Sequence, residues 1–343
     1  MHAVGKACRK AGMASSVRST FLKLMAPALI AGLALGMTAA PVQAADFPGD
    51  KPISLVVPFP AGGGTDFIGR LLASEMGKAL KTTIVVENKG GANSNIGTAY
   101  VTQARPDGHT LLVSGVGIAT NQGLYSKLPY KLDQLDQIAI LAFGADVLVT
   151  APGFPAKTLA EFVTHVRANP GKDGYANAGA GGVNDLGMIW FLQIIGGKMN
   201  SISYRGSAPA LTDTVGGVVP VIFDNFPSSL PYVKSNHLKP LAITGTARNP
   251  RLPDVPTFAE QGYKDYDVTA WYGVVGPANM PADVRDKLAD AFARAVRDPA
   301  TAAKMEETGA FPLGNTPAQF GEQISTERDR WKTVIERAQI KLQ

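Results

Sequence analysis

The sequence predicts an α/β fold in two lobes, each a mostly parallel sheet flanked by helices. Three observations lead there. Short runs rich in β-branched residues alternate with stretches of helical spacing, glycine loops stand between them, and the same rhythm runs along the chain twice. With 343 residues, 45% of them hydrophobic, the chain can bury ample core without staples and suits two domains or one large one.

The first 44 residues read as a leader. They hold Lys6, Arg9, Lys10, Arg18 and Lys23 and no acid, then an apolar run over 26–40, then Pro41-Val42-Gln43-Ala44-Ala45. This is the pattern of a secretory signal cut after Ala44. The run falls short of the ~20 apolar residues that a membrane span needs. The whole chain has 33 basic and 28 acidic residues. All five excess cations lie in the leader, so the mature body is neutral. Such a body carries no field to attract nucleic acid, and no second long apolar segment inserts in a membrane. Cys8, the single cysteine, also lies in the leader. The exported form therefore has no disulfide, no Cys-ligated metal and no Cys nucleophile.

In the mature chain, 53–58 reads as a strand, 61–66 as a glycine loop, and Phe67, Leu71, Met76 and Leu80 as one face of a helix. A strand over 83–87, a polar glycine loop over 88–95, a helix over 96–104 and a strand over 111–114 follow. Two more strands are expected at 138–141 and 147–151. The second round has a helix over 159–168, a strand over 174–176, a glycine loop over 178–184 and a helix over 186–195. Strands at 202–204, 220–223 and 240–244 come next, then a run over 271–275 and helices over 282–296 and 317–338. The end of the chain should pack back on the first lobe. The expected division is signal peptide 1–44, first lobe 45–146 with 271–343, and second lobe 147–270.

Little catalytic chemistry is on offer. His109, His165 and His237 stand at no metal-binding spacing, no G-x-S-x-G elbow occurs, and Asp265 with Asp267 reads as a solvated turn. Neither an enzyme, a cofactor nor a metal is expected. The loop over 61–66 lacks the Lys-Ser/Thr ending of a phosphate-binding loop. Its glycines, Gly62 and Gly63 among them, can still let backbone N–H groups at a helix N-terminus converge on an anion. Alternatively they only make a tight turn with Asp66 as N-cap. Three loops occupy equivalent places: the one beginning at Asn88, the one at Ser114 and Gly115, and the one holding Ala178, Gly179, Ala180, Gly181 and Asn184. Four such loops facing one cleft would surround a small polar ligand with neutral donors. Arg205 could meet a carboxylate bidentately or stay solvated. Asp224 could accept from a ligand or organise a loop. Trp271 could wall the cleft or belong to the core.

An ordered set of motifs resembles the periplasmic receptors of tripartite tricarboxylate transporters, the Bug-type family. The set begins with Val57-Pro58-Phe59-Pro60-Ala61-Gly62-Gly63-Gly64-Thr65-Asp66, then Val86-Glu87-Asn88-Lys89, Asn95-Ile96-Gly97 and Pro106-Asp107-Gly108-His109-Thr110-Leu111-Leu112. It continues with Tyr204-Arg205-Gly206, Phe223-Asp224-Asn225, Leu252-Pro253-Asp254-Val255-Pro256-Thr257 and Trp271-Tyr272-Gly273. The resemblance implies a periplasmic-binding-protein (Venus flytrap) clamshell, a monomer, that captures a small organic acid and delivers it to a membrane permease. Carried over, it points to Phe59, Ala61, Gly62, Thr65 and Asp66 in the first lobe and to 178–184 with Asp224 in the second. This chain departs from the pattern where the family commonly has serines within 178–184, at Ser203 and at Gly90, so the far end of the ligand need not be a second carboxylate. An exported sensor or an exported hydrolase using the same cleft are the alternatives.

Overall fold

Leu55, Val56 and Val57 are buried in succession, as a β-branched run covered on both faces requires. They lie in β1 (Ile53–Val57), the second strand of a mixed sheet. The computed structural model describes residues 47–266 and 268–342; the expected signal segment over 1–44 lies outside the described residues. After β1 the chain forms α1 (Gly64–Leu80), β2 (Ile84–Asn88), α2 (Asn95–Thr102), β3 (Thr110–Ser114) and α3 (Gly117–Leu124). The buried face of α1 is Ile68, Leu72, Met76 and Leu80, while Phe67 is exposed. The apolar stripe thus sits one residue later than the expected Phe67–Leu71 pair. Each such side chain, fully buried, stabilises the fold by about 1.5–3 kcal/mol.

The long strand β4 (Leu135–Thr150) replaces the two strands expected at 138–141 and 147–151. Gly144, which invites a turn in the sequence, is a packing position: a methyl group there would stand 3.1 Å from the Tyr272 ring. From β4 the chain continues through α4 (Leu159–Ala168), β5 (Gly174–Asn177), α5 (Val183–Ile195), β6 (Asn200–Ser203), α6 (Ser207–Val215), β7 (Val221–Asn225), α7 (Phe226–Lys234) and β8 (Lys239–Ile243). It ends with β9 (Thr269–Pro277), α8 (Ala282–Arg297), α9 (Pro299–Glu307), β10 (Ala310–Pro312) and α10 (Pro317–Ala338). Helices α6 and α7 escaped the periodicity reading. Each has nine residues, and Pro209 in one and Pro227 and Pro231 in the other read as loop in a sequence.

Strand β4 belongs to both sheets. Its first part, to Ala145, pairs antiparallel with β9 and β10; from Asp146 on it pairs antiparallel with β7, and from Val147 with β8. Parallel pairing is confined to β2-β1-β3 and to β6-β5-β7. The expectation of mostly parallel sheets is therefore corrected to mixed ones. The two strands at the junction, β4 and β9, run against their neighbours, and only the βαβ units outside them are parallel. Helix α8 packs on α1 and β4, whereas α10 lies against α3, β4 and α5. The chain end thus touches both sheets and not the first alone. Trp331 of α10 is fully buried, meets Trp190 of α5 edge-on at 6.0 Å, and donates from Nε1 to Glu327 Oε2 at 2.8 Å. No helix among the described residues is long and apolar enough to cross a membrane.

Candidate functional site

The glycine loops after β1 and β5 share a construction that neither flanking element explains. Gly62 (φ +91°) and Gly181 (φ +70°) take left-handed backbone that L side chains resist. The Gly62 N–H donates to Asp66 Oδ2 at 3.1 Å, and the Gly181 N–H to Asp185 Oδ2 at 2.9 Å. Both acids are the third residue of their helices, α1 and α5. Each carboxylate folds its loop back and leaves the helix N-terminus pointing onward. The five-residue pattern, two glycines, two variable residues and an aspartate, stands at 62–66 and again at 181–185. The sequence reading did not recognise it as a repeat, because only three of its five positions are fixed.

Asp66 also accepts from Arg70 Nε at 3.0 Å and Asn88 Nδ2 at 2.8 Å. Burial pushes its carboxyl up, but the bonds from Arg70, Asn88 and Gly62 together hold it below the ordinary carboxylate value. Asp185 accepts from four donors: Tyr175 Oη, Asn177 Nδ2, Ser201 Oγ and Gly181 N.

Six helices, α1, α2, α3, α5, α6 and α7, begin at the wall of one cavity between the two sheets. In none of them does the N-cap residue's own side chain accept a first-turn N–H. Of the helices that start away from the cavity, α4, α9 and α10 are capped by Thr158, Asp298 and Thr316, and α8, which follows Pro281, has no side-chain cap. Loop carbonyls take the N–H groups of Asn95 and Ile96 in α2 and of Ile118 and Ala119 in α3, and Ser228 takes that of Gly64 in α1; the helix dipole still places roughly half a positive charge at each N-terminus. Among the described residues, no Asp, Glu, Lys, Arg or His lines the wall. The cavity is thus electropositive without holding a cation, the setting for a small anion. It is also tight: centres of water-sized groups have about 80 Å³ in which to move. The two sides touch, with the Gly64 N–H donating to Ser228 Oγ at 2.9 Å and Asn93 Nδ2 to the Gly181 carbonyl at 3.1 Å.

The wall brings together Phe59, Ala61, Gly63 and Thr65 from the first loop, and Gly115 from the loop after β3. Ala178, Gly179 and Asn184 come from the second glycine loop, and Trp271 from β9. Gly62, Asp66 and Asn88 stand behind it. Asn88 donates to the Phe59 carbonyl at 3.0 Å, so these residues shape the first loop and do not line the wall. Ser114 is buried at the end of β3, off the wall. Ala180 and Gly181 are on the back of their loop, where Gly181 packs on Leu124 and Leu342. Arg205 is exposed and outside the cavity. Trp271 has both of its possible roles: it lines the cavity, and it is buried edge-on against Phe320 at 5.3 Å.

Asp224 takes the organising place. It is fully buried and accepts from Ser207 Oγ at 2.6 Å and Ser229 Oγ at 2.9 Å, tying the starts of α6 and α7 together. Burial pushes its carboxyl from the ordinary 3.8 up to about 6, against the pull of the two serines. An acid whose pKa is raised by folding loses stability as pH rises from its unfolded to its folded value, because the unfolded chain ionises first. Between pH 4 and pH 6 this amounts to about 2 kcal/mol, from ~1.4 kcal/mol per unit. Asp224→Asn should remove the loss, so its stability relative to the parent should rise by that amount over the same interval. Urea unfolding at several pH values reads the difference; a constant difference would show that Asp224 ionises normally.

Sequence reasoning missed Ser207, Ala208 and Pro209 on the wall, because α6 was not recognised, and missed Asp146. Asp146 lies on β4 where the strand passes between sheets, with no exposed surface. Its Oδ1 accepts from Asn184 Nδ2 at 2.9 Å and from Asn225 Nδ2 at 2.7 Å, and its Oδ2 has no partner. Burial first, then the neighbouring Asp224 charge, raise its carboxyl well above the ordinary value despite the two amides. Only the hydrophobic context Ala145-Asp146-Val147 hinted that this acid is buried.

Comparison with known proteins gives the family and the fold. A sequence model described as tripartite tricarboxylate transporter family receptor matches residues 68–340. The structure of the periplasmic binding protein BugD is 33% identical and superposes with a TM-score of 0.82, covering 85% of this chain and 99% of its own. MatC from Rhodopseudomonas palustris, with bound malate, is 30% identical with a TM-score of 0.79, covering 84% and 100%. Another R. palustris protein, solved with adipate, is 29% identical with a TM-score of 0.84, covering 86% and 99%. The fold is the two-lobed α/β fold of periplasmic binding proteins.

Proposed function

The chain belongs to the tripartite tricarboxylate transporter receptor family, a family of receptors and not of enzymes, and from that premise we propose that it is a periplasmic receptor for a small organic acid, which it hands to a membrane permease. The observation that carries this reading is the convergence of six uncapped helix N-termini on a cavity without ionised side chains. Malate and adipate, the ligands of the two R. palustris relatives, are acids of this size class. In this reading the lobes are 45–146 with 271–343 and 147–270, the leader over 1–44 is removed on export, and the receptor acts as a monomer.

Capture follows from the geometry. An acid docks a carboxylate on the first-turn N–H groups, and the second lobe closes over it. Closure is favoured by the ligand's differential affinity for the closed form, in which Gly64–Ser228 and Asn93–Gly181 bridge the lobes. Three or four charge-assisted bonds at about 1.5–3 kcal/mol each supply the ~8 kcal/mol of a micromolar complex. Permease recognition of the closed form would complete delivery, with no covalent step.

A thermal-shift panel of mono- and dicarboxylates, each beside its neutral amide, tests the reading. An acid at about 100 times its Kd should add ~2.7 kcal/mol to stability, its amide nothing, and the acid should be recovered unchanged. No shift with any acid, equal shifts with acid and amide, or recovery of an altered molecule would overturn it.

A further inference from the structure

The two sides of the cavity differ in what they offer a ligand. The first side presents N–H donors. On the second, Asn184 and Asn225 both line the wall, and each donates its Nδ2 to the same oxygen of Asp146. One carboxyl oxygen holds at most one proton, so it cannot donate to two amide carbonyls. Accepting from both nitrogens is the arrangement in which every contact is attractive. Each planar amide then has its nitrogen turned to Asp146 and its carbonyl oxygen turned away. Neither side-chain oxygen has a protein partner among the described residues.

Resting on the receptor reading above, we propose that Asn184 and Asn225 select acids that carry a hydrogen-bond donor, a hydroxyl or an ammonium group, and that Asp146 is the positioning residue that aims their oxygens at it. A bare methylene in the same place leaves two acceptors dry, the most discriminating kind of mismatch a site can impose. Asp224 and the phenols of Tyr266 and Tyr272 are the charged and titratable neighbours of Asp146, and burial, then the Asp224 charge, raise its carboxyl well above the ordinary value, which disfavours a negative charge that would oppose the ligand's.

Titration calorimetry on matched acids tests the proposal: succinate against malate and aspartate, and glutarate against 2-hydroxyglutarate and glutamate. In at least one set the hydroxy or amino acid should bind about tenfold or more tightly than the plain acid. Asn184→Leu should bring that ratio close to one, whatever it does to the affinity of the plain acid. Asp146→Asn, which retains an acceptor oxygen, should preserve the ratio, and Asp146→Leu should abolish it. If the leucine variant of Asp146 does not fold, Asn184→Leu alone decides the matter. Equal affinities within both sets, or a ratio unmoved by Asn184→Leu, would overturn this inference and leave the receptor reading standing. Failure of every acid, in these sets and in the thermal-shift panel, would overturn the receptor reading itself.

Discussion

Replacing Gly63 with leucine should weaken binding of an organic acid at least a hundredfold while moving the unfolding temperature by only a few degrees. Gly63 is the N-cap of α1 and lines the cavity. Its φ of −89° suits any L residue, and a Cβ built there meets nothing within 4 Å, so the folded chain accepts the change. The ligand does not. Four added carbons project from the wall into the cavity and cover the N–H groups at the start of α1. A hundredfold loss is about 2.8 kcal/mol, the worth of one or two charge-assisted bonds. Gly64→Ala makes an instructive contrast, because its Cβ would stand 2.9 Å from Tyr272 Oη and strain the contact between the lobes. Calorimetry and a melting curve on Gly63→Leu give the two readouts. Unchanged affinity would mean that the ligand sits elsewhere.

Asp185→Ala should have the largest effect on stability, about 3–5 kcal/mol. The side chain is 4% exposed and accepts from Tyr175 Oη at 2.6 Å, Ser201 Oγ at 2.8 Å, Gly181 N at 2.9 Å and Asn177 Nδ2 at 3.1 Å. Removing it leaves four donors in or near the interior without their acceptor, each costing about 1–3 kcal/mol unless water reaches it. The glycine loop also loses the bond that holds Gly181 in left-handed backbone. Asp66→Ala, the equivalent change in the first lobe, should cost less, since Arg70 is half exposed and can turn to water. Urea midpoints at constant m-value measure both. Equal losses would show that the two loops are not held as the bonding pattern requires.

The sequence reading succeeded where the signal is local. The run at β1, the helical spacing of α5 and the glycine loops between them all follow from neighbouring residues. Its assignments changed where a residue's partner lies far along the chain. Asp66 and Asn88 carried the right chemistry for a site, but they spend it on Gly62, Arg70 and the Phe59 carbonyl. Arg205 carried the right charge and lies outside the cavity. The continuity of β4 through Gly144 was hidden because packing against Tyr272, and not a turn, explains that glycine.

By itself the sequence determined the α/β alternation, the places where glycine lets a helix begin uncapped, and a body of balanced charge; these are properties of short windows, where sterics and periodicity act between near neighbours. Only the tertiary structure decided that six helix N-termini meet, that Ser228 reaches Gly64 across 164 positions, and that Asp146 lies beneath Asn184 and Asn225. Those meetings depend on which strands pair and on β4 passing from one sheet to the other. Strand pairing is settled by burial of whole faces against one another, and no short window contains both partners.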